Sequence, residues 1–165
     1  MLPLTDNDIR HALVNASRGE AKRAVLPDLS TVDWDALDYL GWTDGKRELV
    51  SYVTLFVDDQ LVTIQLRRTS NGTRSRLVCT WCQDVVAGDR AMLFVAARAG
   101  ASGRNGNTVG TAICADFRCS ANARRTPSIT EMSSDDDAEV QFWIDLRVEE
   151  LRRRSTRFAR QVMAG

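Results

Sequence analysis

The chain has 165 residues, of which 44% are hydrophobic and 27% charged, and its 22 basic and 22 acidic residues cancel. This composition excludes collagen-like, low-complexity and wholly disordered chains, and the length is typical of one domain. The apolar run at residues 91–97 is far shorter than the ~20 residues that span a bilayer. The N-terminus lacks the features of a signal peptide. We therefore expect a single domain, residues 1–165, in the cytoplasm, with no membrane partner.

The charge is distributed unevenly along the chain. Residues 71–125 contain eight basic and three acidic side chains, a net charge of +5, whereas the segments on either side are net negative. All four cysteines lie in the same basic region. If they bind zinc as thiolates, the site contributes a charge of about −2, so that the residue count overstates the local positive field.

Two capping boxes stand near the start of the chain. Thr5 with Asp8, and Ser17 with Glu20, each pair a hydroxyl with a carboxylate three residues later. This pattern satisfies two backbone N–H groups at the beginning of an α-helix. It predicts either two short helices or one helix that is kinked at Gly19.

A further short helix is predicted from Trp34 to Leu40. Asp33 would cap its N-terminus, and Gly41 would end it in the left-handed conformation. Residues 1–45 are accordingly expected to form a helical N-terminal segment.

Strand patterns follow. Polar and apolar residues alternate in residues 48–57 and 60–68 around Asp58-Asp59, which predicts a β-hairpin. Further strands are predicted at residues 76–79, 92–97 and 109–113. The last two flank a glycine-rich tip, in which positive φ angles or close backbone approaches are expected. Its glycines are Gly100, Gly103, Gly106 and Gly110.

Helical patterns return towards the end of the chain. A helix is predicted within Asp116 to Arg125, with Cys119 in its first turn, followed by a loop at residues 128–137. A long helix is then predicted at residues 138–163, with one apolar face and with Arg152 to Arg154 in solvent. The predicted fold is α+β: antiparallel hairpins in a β-rich core at residues 46–125, flanked by N-terminal helices and a long C-terminal helix.

The cysteines form a pattern with metal-binding spacing. Cys79 and Cys82 make a C-x2-C pair, and Cys114 and Cys119 make a C-x4-C pair, with 31 residues between the two pairs. Each pair can direct two sulfurs at one ion, and four thiolates are a ligand set that zinc favours. A ligand-bearing turn, a hairpin and a helix that carries the last ligand describe the treble-clef arrangement. The sequence therefore predicts one structural Zn²⁺.

Other uses of these cysteines are less consistent with the pattern. Structural disulfides are not expected, since nothing marks the chain as secreted. A redox dithiol at Cys79 and Cys82 would leave the second pair without a role. The only histidine, His11, lies 68 residues before Cys79, and no nucleophile–base set can be assembled around it. We expect no enzymatic activity and no small-molecule substrate.

Six stretches of the sequence carry a resemblance to a known family: residues 15–23, residues 33–42, Cys79-Thr80-Trp81-Cys82, residues 94–100, residues 103–111 and residues 114–120. In their order and spacing they resemble the bacterial elongation-factor-G-binding (FBP) family, which includes the FusB-type fusidic-acid-resistance proteins. The resemblance extends over about residues 3–160. It leads us to expect an aromatic residue at the position of Asn122.

The resemblance implies a binding protein that docks its zinc-finger face on elongation factor G and helps to release that factor from the ribosome. On this basis the partner-binding candidates are Arg98, Arg104, Asn107, Phe117, Arg118, Arg124 and Arg125. The charges of the arginines would speed encounter with an acidic partner surface.

An RNA- or ribosome-binding zinc module is the alternative. Trp81 and Phe117 near the metal would stack on bases, and Arg124 and Arg125 would contact phosphates. The overall net charge of zero is unfavourable for strong RNA binding.

Overall fold

The computed structural model describes residues 1–69, 77–86 and 90–165. In these ranges five strands form one antiparallel sheet whose spatial order follows the chain. The strands are β1 (Leu40–Asp44), β2 (Arg47–Val57), β3 (Gln60–Arg68), β4 (Ala91–Ala97) and β5 (Thr108–Cys114). The helices are α1 (Asp6–His11), α2 (Arg18–Arg23), α3 (Gly100–Arg104), α4 (Cys119–Arg124) and α5 (Asp137–Met163), with a 3₁₀ turn at Leu29–Thr31. The predicted α+β class is confirmed.

The hairpin of β2 and β3 is confirmed. Asp58 and Asp59 both have positive φ, 49° and 61°, as a two-residue turn with the twist of a tight hairpin requires. Leu55 pairs with Val62, so the apolar residues of both strands fall on the same face.

The predicted helix from Trp34 to Leu40 is wrong. Leu40 begins β1, which pairs with β2, and Trp42 stacks on Tyr52 of that strand with ring centroids 5.0 Å apart. Gly41 therefore lies within a strand and does not end a helix. Of the predicted helical segment, residues 1–45, five residues, Leu40–Asp44, belong to the sheet.

The predicted strand at residues 76–79 begins outside the described residues. Its remaining part, residues 77–79, has no regular secondary structure and leads directly into the turn of Cys79 and Cys82.

The sheet is covered on both faces. On one face lies the main core, where Val53, Ile64 and Phe94 of the sheet pack with Leu151 and Phe158 of α5. On the other face, a second cluster joins the N-terminal segment to β1 and β2; its buried members are Ile9, Ala24, Leu40, Trp42 and Tyr52. Successive residues of the strands therefore pack alternately into two different apolar layers, one on each face of the sheet.

The two capping boxes are confirmed and begin two separate helices, α1 and α2. The segment between them runs beside β3, where the Val14 N–H donates to the Thr63 carbonyl oxygen at 3.0 Å. The amide of Asn15 then bridges β3 and β4: its Nδ2 donates to the carbonyl oxygens of Gln65 and Ala97, both at 3.0 Å. Its Oδ1 accepts from the Gln65 N–H at 2.8 Å. The N-terminal segment thus fills a gap between these strands.

The glycine-rich tip contains helix α3 between β4 and β5. Gly100 and Gly106 have positive φ, 67° and 86°. At Gly103 a Cβ would collide with the Arg98 carbonyl oxygen, whereas at Gly110 it would meet only ordinary contacts. The expected positive φ angles or close backbone approaches are therefore confirmed for three of the four glycines.

The long C-terminal helix is confirmed. The Asp136 carboxylate caps α5 by accepting from the N–H groups of Ala138 and Glu139. Of the three arginines expected in solvent, Arg152 and Arg153 are exposed. Arg154 is partly buried and donates to the Trp81 carbonyl oxygen at 3.1 Å. Among the described residues, no helix is both long and apolar enough to cross a membrane.

Candidate metal centre

The four cysteine sulfurs converge on one buried point. Cys79 and Cys82 come from the turn before β4, Cys114 ends β5, and Cys119 begins α4. Their Sγ atoms all lie within 4.8 Å of one another, with 3.6 Å between Cys79 and Cys119 and 3.6 Å between Cys82 and Cys114. A tetrahedral zinc with ~2.3 Å bonds requires sulfurs ~3.8 Å apart. The spacing therefore fits a zinc ion with four thiolate ligands.

The contacts between the two pairs bear on the redox alternative. Each sulfur of the Cys79–Cys82 pair lies 3.6 Å from a sulfur of the Cys114–Cys119 pair. A dithiol that works alone has no need of a second pair at this distance. The arrangement favours one site with four ligands.

The first ligand turn is held by its backbone and by β5. The Gln83 N–H donates to the Cys79 carbonyl oxygen at 2.9 Å, and Gln83 has a positive φ of 55°. The Thr80 N–H donates to the Ala112 carbonyl oxygen at 2.7 Å. These bonds fix Cys79 and Cys82 against the strand that leads to Cys114.

The second ligand turn is organised by Phe117. Its φ is 57°, and its N–H donates to the Cys114 carbonyl oxygen at 3.0 Å. Its own carbonyl oxygen accepts from the Tyr39 hydroxyl at 3.2 Å, and its ring packs on Phe94 with centroids 5.5 Å apart. Phe117 is only 7% exposed. In this structure Phe117 is a core residue that shapes the metal turn, and its contact with a partner stays a prediction.

Trp81 is also buried, at 1% exposure, between Tyr39 and Phe158. Neither Trp81 nor Phe117 therefore offers a ring face to a nucleic-acid base. The stacking on which the RNA-binding alternative depends is not supported by these two residues.

The thiols affect one another strongly. Hydrogen bonds from Cys114 and Cys119 lower the pKa of Cys79, and the same donors lower the pKa of Cys82 to about 7. The interaction with Cys114 is the largest effect that raises the pKa of Cys119. Four thiolates at this spacing repel one another, so the last protons are held tightly unless a cation is present. A divalent ion would remove this conflict.

Asn122 was missed as a site residue. It is buried, and its Nδ2 donates to Cys114 Sγ at 3.5 Å and lies 3.9 Å from Cys82 Sγ. An amide N–H that points at a thiolate orients the ligand and reduces its effective charge. The available signal was its position three residues after Cys119, which places both residues on one face of α4.

A buried carboxylate ties α4 to the rest of the domain. Asp38 accepts two hydrogen bonds from Arg124, at 2.5 and 3.1 Å, and one from Arg152 of α5 at 2.8 Å. Burial alone would raise the pKa of Asp38, but the bonds from the two arginines outweigh it and hold the pKa below its usual value. The Asp38 N–H also donates to Ser120 Oγ at 3.0 Å.

A second buried carboxylate, Asp84, lies just after the first ligand turn. It is paired with Arg125 at 2.6 Å and with Arg147 of α5, which also lies over the Trp143 ring at 4.4 Å. Arg125 pairs in addition with Glu131 at 2.5 Å. Arg124 and Arg125 are thus engaged within the molecule, and their assignment as partner-binding residues stays a prediction.

The other partner-binding candidates lie at two separate ends of the β4–β5 hairpin. Arg98, Arg104 and Asn107 belong to the glycine-rich tip, whereas Arg118 lies beside the metal. Arg98 donates to the Gln161 carbonyl oxygen at 2.8 Å, and Asn107 donates to Ser102 Oγ at 3.0 Å. Each strand has seven residues, so the two ends are ~20 Å apart. The candidates do not form one patch.

The ligand turn at Cys79 and Cys82, the β4–β5 hairpin and the helix that begins at Cys119 define a treble-clef zinc-finger protein. The chain belongs to the FBP C-terminal treble-clef zinc-finger family, whose sequence model matches residues 8–162.

Among solved structures, the chain is similar to the fusidic acid resistance protein FusC, with 22% identity and a TM-score of 0.48. The similarity covers 70% of this chain and 50% of FusC, so the chain spans about half the length of that protein. A search of curated proteins finds no match.

Proposed function

We propose that this protein is a cytoplasmic, non-enzymatic binding protein whose partner is translation elongation factor G. The observation that carries the proposal is family membership across residues 8–162, a range that includes all four cysteines. The FBP family resemblance implies binding to elongation factor G. In this proposal the domain acts as a rigid scaffold, and binding promotes release of the factor from the ribosome.

The metal is proposed to be one zinc ion with a structural role. Four thiolates complete a tetrahedral shell, which leaves no position for a catalytic water or a substrate. The ligand residues are buried, with Cys119 at 0% and Cys82 at 7% exposure. The only histidine of the chain, His11, is exposed on α1, in the N-terminal layer.

The surface best suited to the partner is the tip end of the β4–β5 hairpin. Arg104 and Asn107 are exposed there, and Arg98 is partly exposed. At the metal end, Arg118 is exposed, and Arg124 and Arg125 are partly exposed and held by buried carboxylates. Charges already paired within the molecule contribute little to steering a partner.

Isothermal titration calorimetry with elongation factor G from the same organism tests the proposal. The protein is first shown by elemental analysis to contain one zinc per chain, and saturable 1:1 binding is expected. Absence of binding at about 50 µM protein in low salt would refute it, since an affinity weaker than this corresponds to under ~6 kcal/mol. The zinc-free protein is the control, because loss of the finger should abolish binding.

The release activity needs its own measurement. Labelled elongation factor G is trapped on ribosomes with fusidic acid, and its dissociation is followed in stopped flow. The protein should increase the dissociation rate, and an unchanged rate with verified binding would limit the function to binding alone.

A further inference from the structure

A groove with a volume of about 670 Å³ lies where β3 and β4 separate. These strands pair over only two residue positions, and the Asn15 amide then spans the gap between Gln65 and Ala97. Three hydrogen bonds hold this amide in place, the third being from the Gln65 N–H. The groove is therefore part of the fold and does not depend on a ligand to open it.

The floor of the groove is small and apolar. Val95 and Ala97 of β4 face into it, and they alternate with Phe94 and Ala96, which are buried in the main core. The groove thus lies on the face of the sheet opposite α5. Beside this floor, the segment between α1 and α2 forms one wall, and α3 forms the other.

Three arginines line the groove: Arg67, Arg98 and Arg104. Arg67 and Arg104 are exposed, and within the described ranges neither forms an ion pair or a hydrogen bond. Arg98 uses Nη1 for the Gln161 carbonyl oxygen, and its other guanidinium N–H groups have no partner in the same ranges. This distinguishes them from Arg124 and Arg125, whose charges are neutralised by carboxylates.

One acidic residue, Glu20, is among the groove-lining side chains. Its carboxylate accepts from the Ser17 N–H at 2.9 Å and from Ser17 Oγ at 2.8 Å, as the capping box of α2 requires. These bonds, that from the Ser17 backbone first, lower the pKa of Glu20, and the nearby charge of Arg67 lowers it further. Glu20 therefore keeps its negative charge, and three arginines with one glutamate leave the groove lining with a net charge of +2.

We propose that this groove binds an acidic segment of a partner protein, with its carboxylates on Arg67, Arg98 and Arg104 and its small apolar side chains on Val95 and Ala97. Guanidinium groups form paired, charge-assisted hydrogen bonds with carboxylates. This proposal rests on the proposed function, because the acidic segment would belong to elongation factor G.

A protein segment fits this groove better than RNA. The described lining residues include no aromatic side chain on which a base could stack. The apolar floor has no counterpart in a phosphate backbone, whereas valine or alanine side chains of an extended peptide would cover it.

The first experiment tests the groove with a defined probe. A capped hexapeptide of alternating glutamate and valine is titrated into ¹⁵N-labelled protein and followed by NMR. We expect saturable shifts at the amides of Ala97, Gly100 and Gly103, and no shifts with a matched peptide of glutamine and valine. Absence of saturable shifts, or equal shifts with an oligouridylate of the same charge, would overturn the proposal.

The second experiment uses single variants with the zinc-loaded, full-length chain. Arg67→Ala and Arg104→Ala should each weaken binding of the glutamate peptide about tenfold. Arg157→Ala is the matched control, because Arg157 is an exposed arginine on α5 without a partner in the described part of the chain. Thermal unfolding should be the same for all three variants. Equal affinity of the groove variants and the wild type would refute the assignment.

Binding to elongation factor G is measured with the same variants. If the wild type binds that factor and the groove variants bind equally well, the groove proposal fails and the proposed function stands. If the wild type does not bind the factor but the peptide binds in the groove, the proposed partner is wrong and the acidic-segment site stands. The two failures are thus distinguishable.

Discussion

Replacing Gly41 by alanine is the most direct test of how the sheet supports the metal turn. Gly41 lies in β1, and a Cβ at this position would fall 2.5 Å from Cγ and Cδ1 of Phe117 and 2.6 Å from its Cβ. Carbon atoms in contact normally lie ~3.5–4.0 Å apart. The added methyl group therefore overlaps the Phe117 side chain unless that residue moves.

Phe117 is poorly placed to move. It has a positive φ, its N–H is bonded to Cys114, and its carbonyl oxygen is bonded to the Tyr39 hydroxyl. Overpacking of a core typically costs ~1–3 kcal/mol, and we expect a value near ~3 kcal/mol here. For a chain of this size the melting temperature should fall by roughly 6–12 °C, at about 2–4 °C per kcal/mol.

Calorimetric unfolding of the zinc-loaded protein measures this effect, and transfer of zinc to a chelator should also become faster. Gly45→Ala is the control, since its Cβ would lie 3.8 Å from Val25 Cγ1, an ordinary contact. Equal melting temperatures for Gly41→Ala and Gly45→Ala would refute the reasoning.

Removal of zinc with a chelator should unfold the region around the four cysteines, because the free energy of zinc binding that holds the two ligand turns together is lost; NMR spectra that stay unchanged would contradict this. Asn122→Leu should increase the rate of zinc release by about 10–100-fold, because Cys114 loses a hydrogen bond, whereas the exposed control Asn105→Leu should not. Acid should destabilise the fold through Asp38 and Glu131, whose folded-state pKa values lie below their unfolded values. Each ionised carboxylate stabilises the folded state fully at pH values above its pKa in the unfolded chain. This stabilisation is lost as the pH falls through the pKa in the folded state, and for Glu131 the loss extends from pH 4.5 to about 2. Urea titrations across this window should show a smaller pH dependence for Glu131→Gln than for the wild type, and an identical dependence would contradict the assignment.

The elements with strong local patterns could be predicted from the sequence. The alternation around Asp58-Asp59 specifies β2 and β3, and the apolar period of residues 138–163 specifies α5. The predicted helix at Trp34 to Leu40 failed because a glycine after an apolar stretch also marks the end of a helix. In this fold Gly41 is needed for a different reason, the close approach of Phe117, which is 76 residues away in the chain.

The metal ligands could be predicted because their spacing is itself a chemical pattern. The roles of Arg124 and Arg125 could not, because their acceptors Asp38 and Asp84 lie 86 and 41 residues away. A sequence shows where a charge is, but not whether the fold has already neutralised it. The groove could not be predicted for a related reason: Arg67 comes from β3, outside the basic region of residues 71–125.

The order of the strands has a consequence for synthesis of the protein. Strands β1, β2 and β3 are neighbours in the chain and in space, and all of them precede the first cysteine. A nascent chain can pair them as soon as residue 68 has left the ribosome, with the N-terminal layer already available for one face. The opposite face must wait for α5, and the 95 residues from the end of β3 to the end of α5 take roughly 5–20 s to synthesise at ~5–20 residues/s. Throughout that interval Val53 and Ile64 are uncovered on a half-built sheet, so this face is where a chaperone would engage the growing chain.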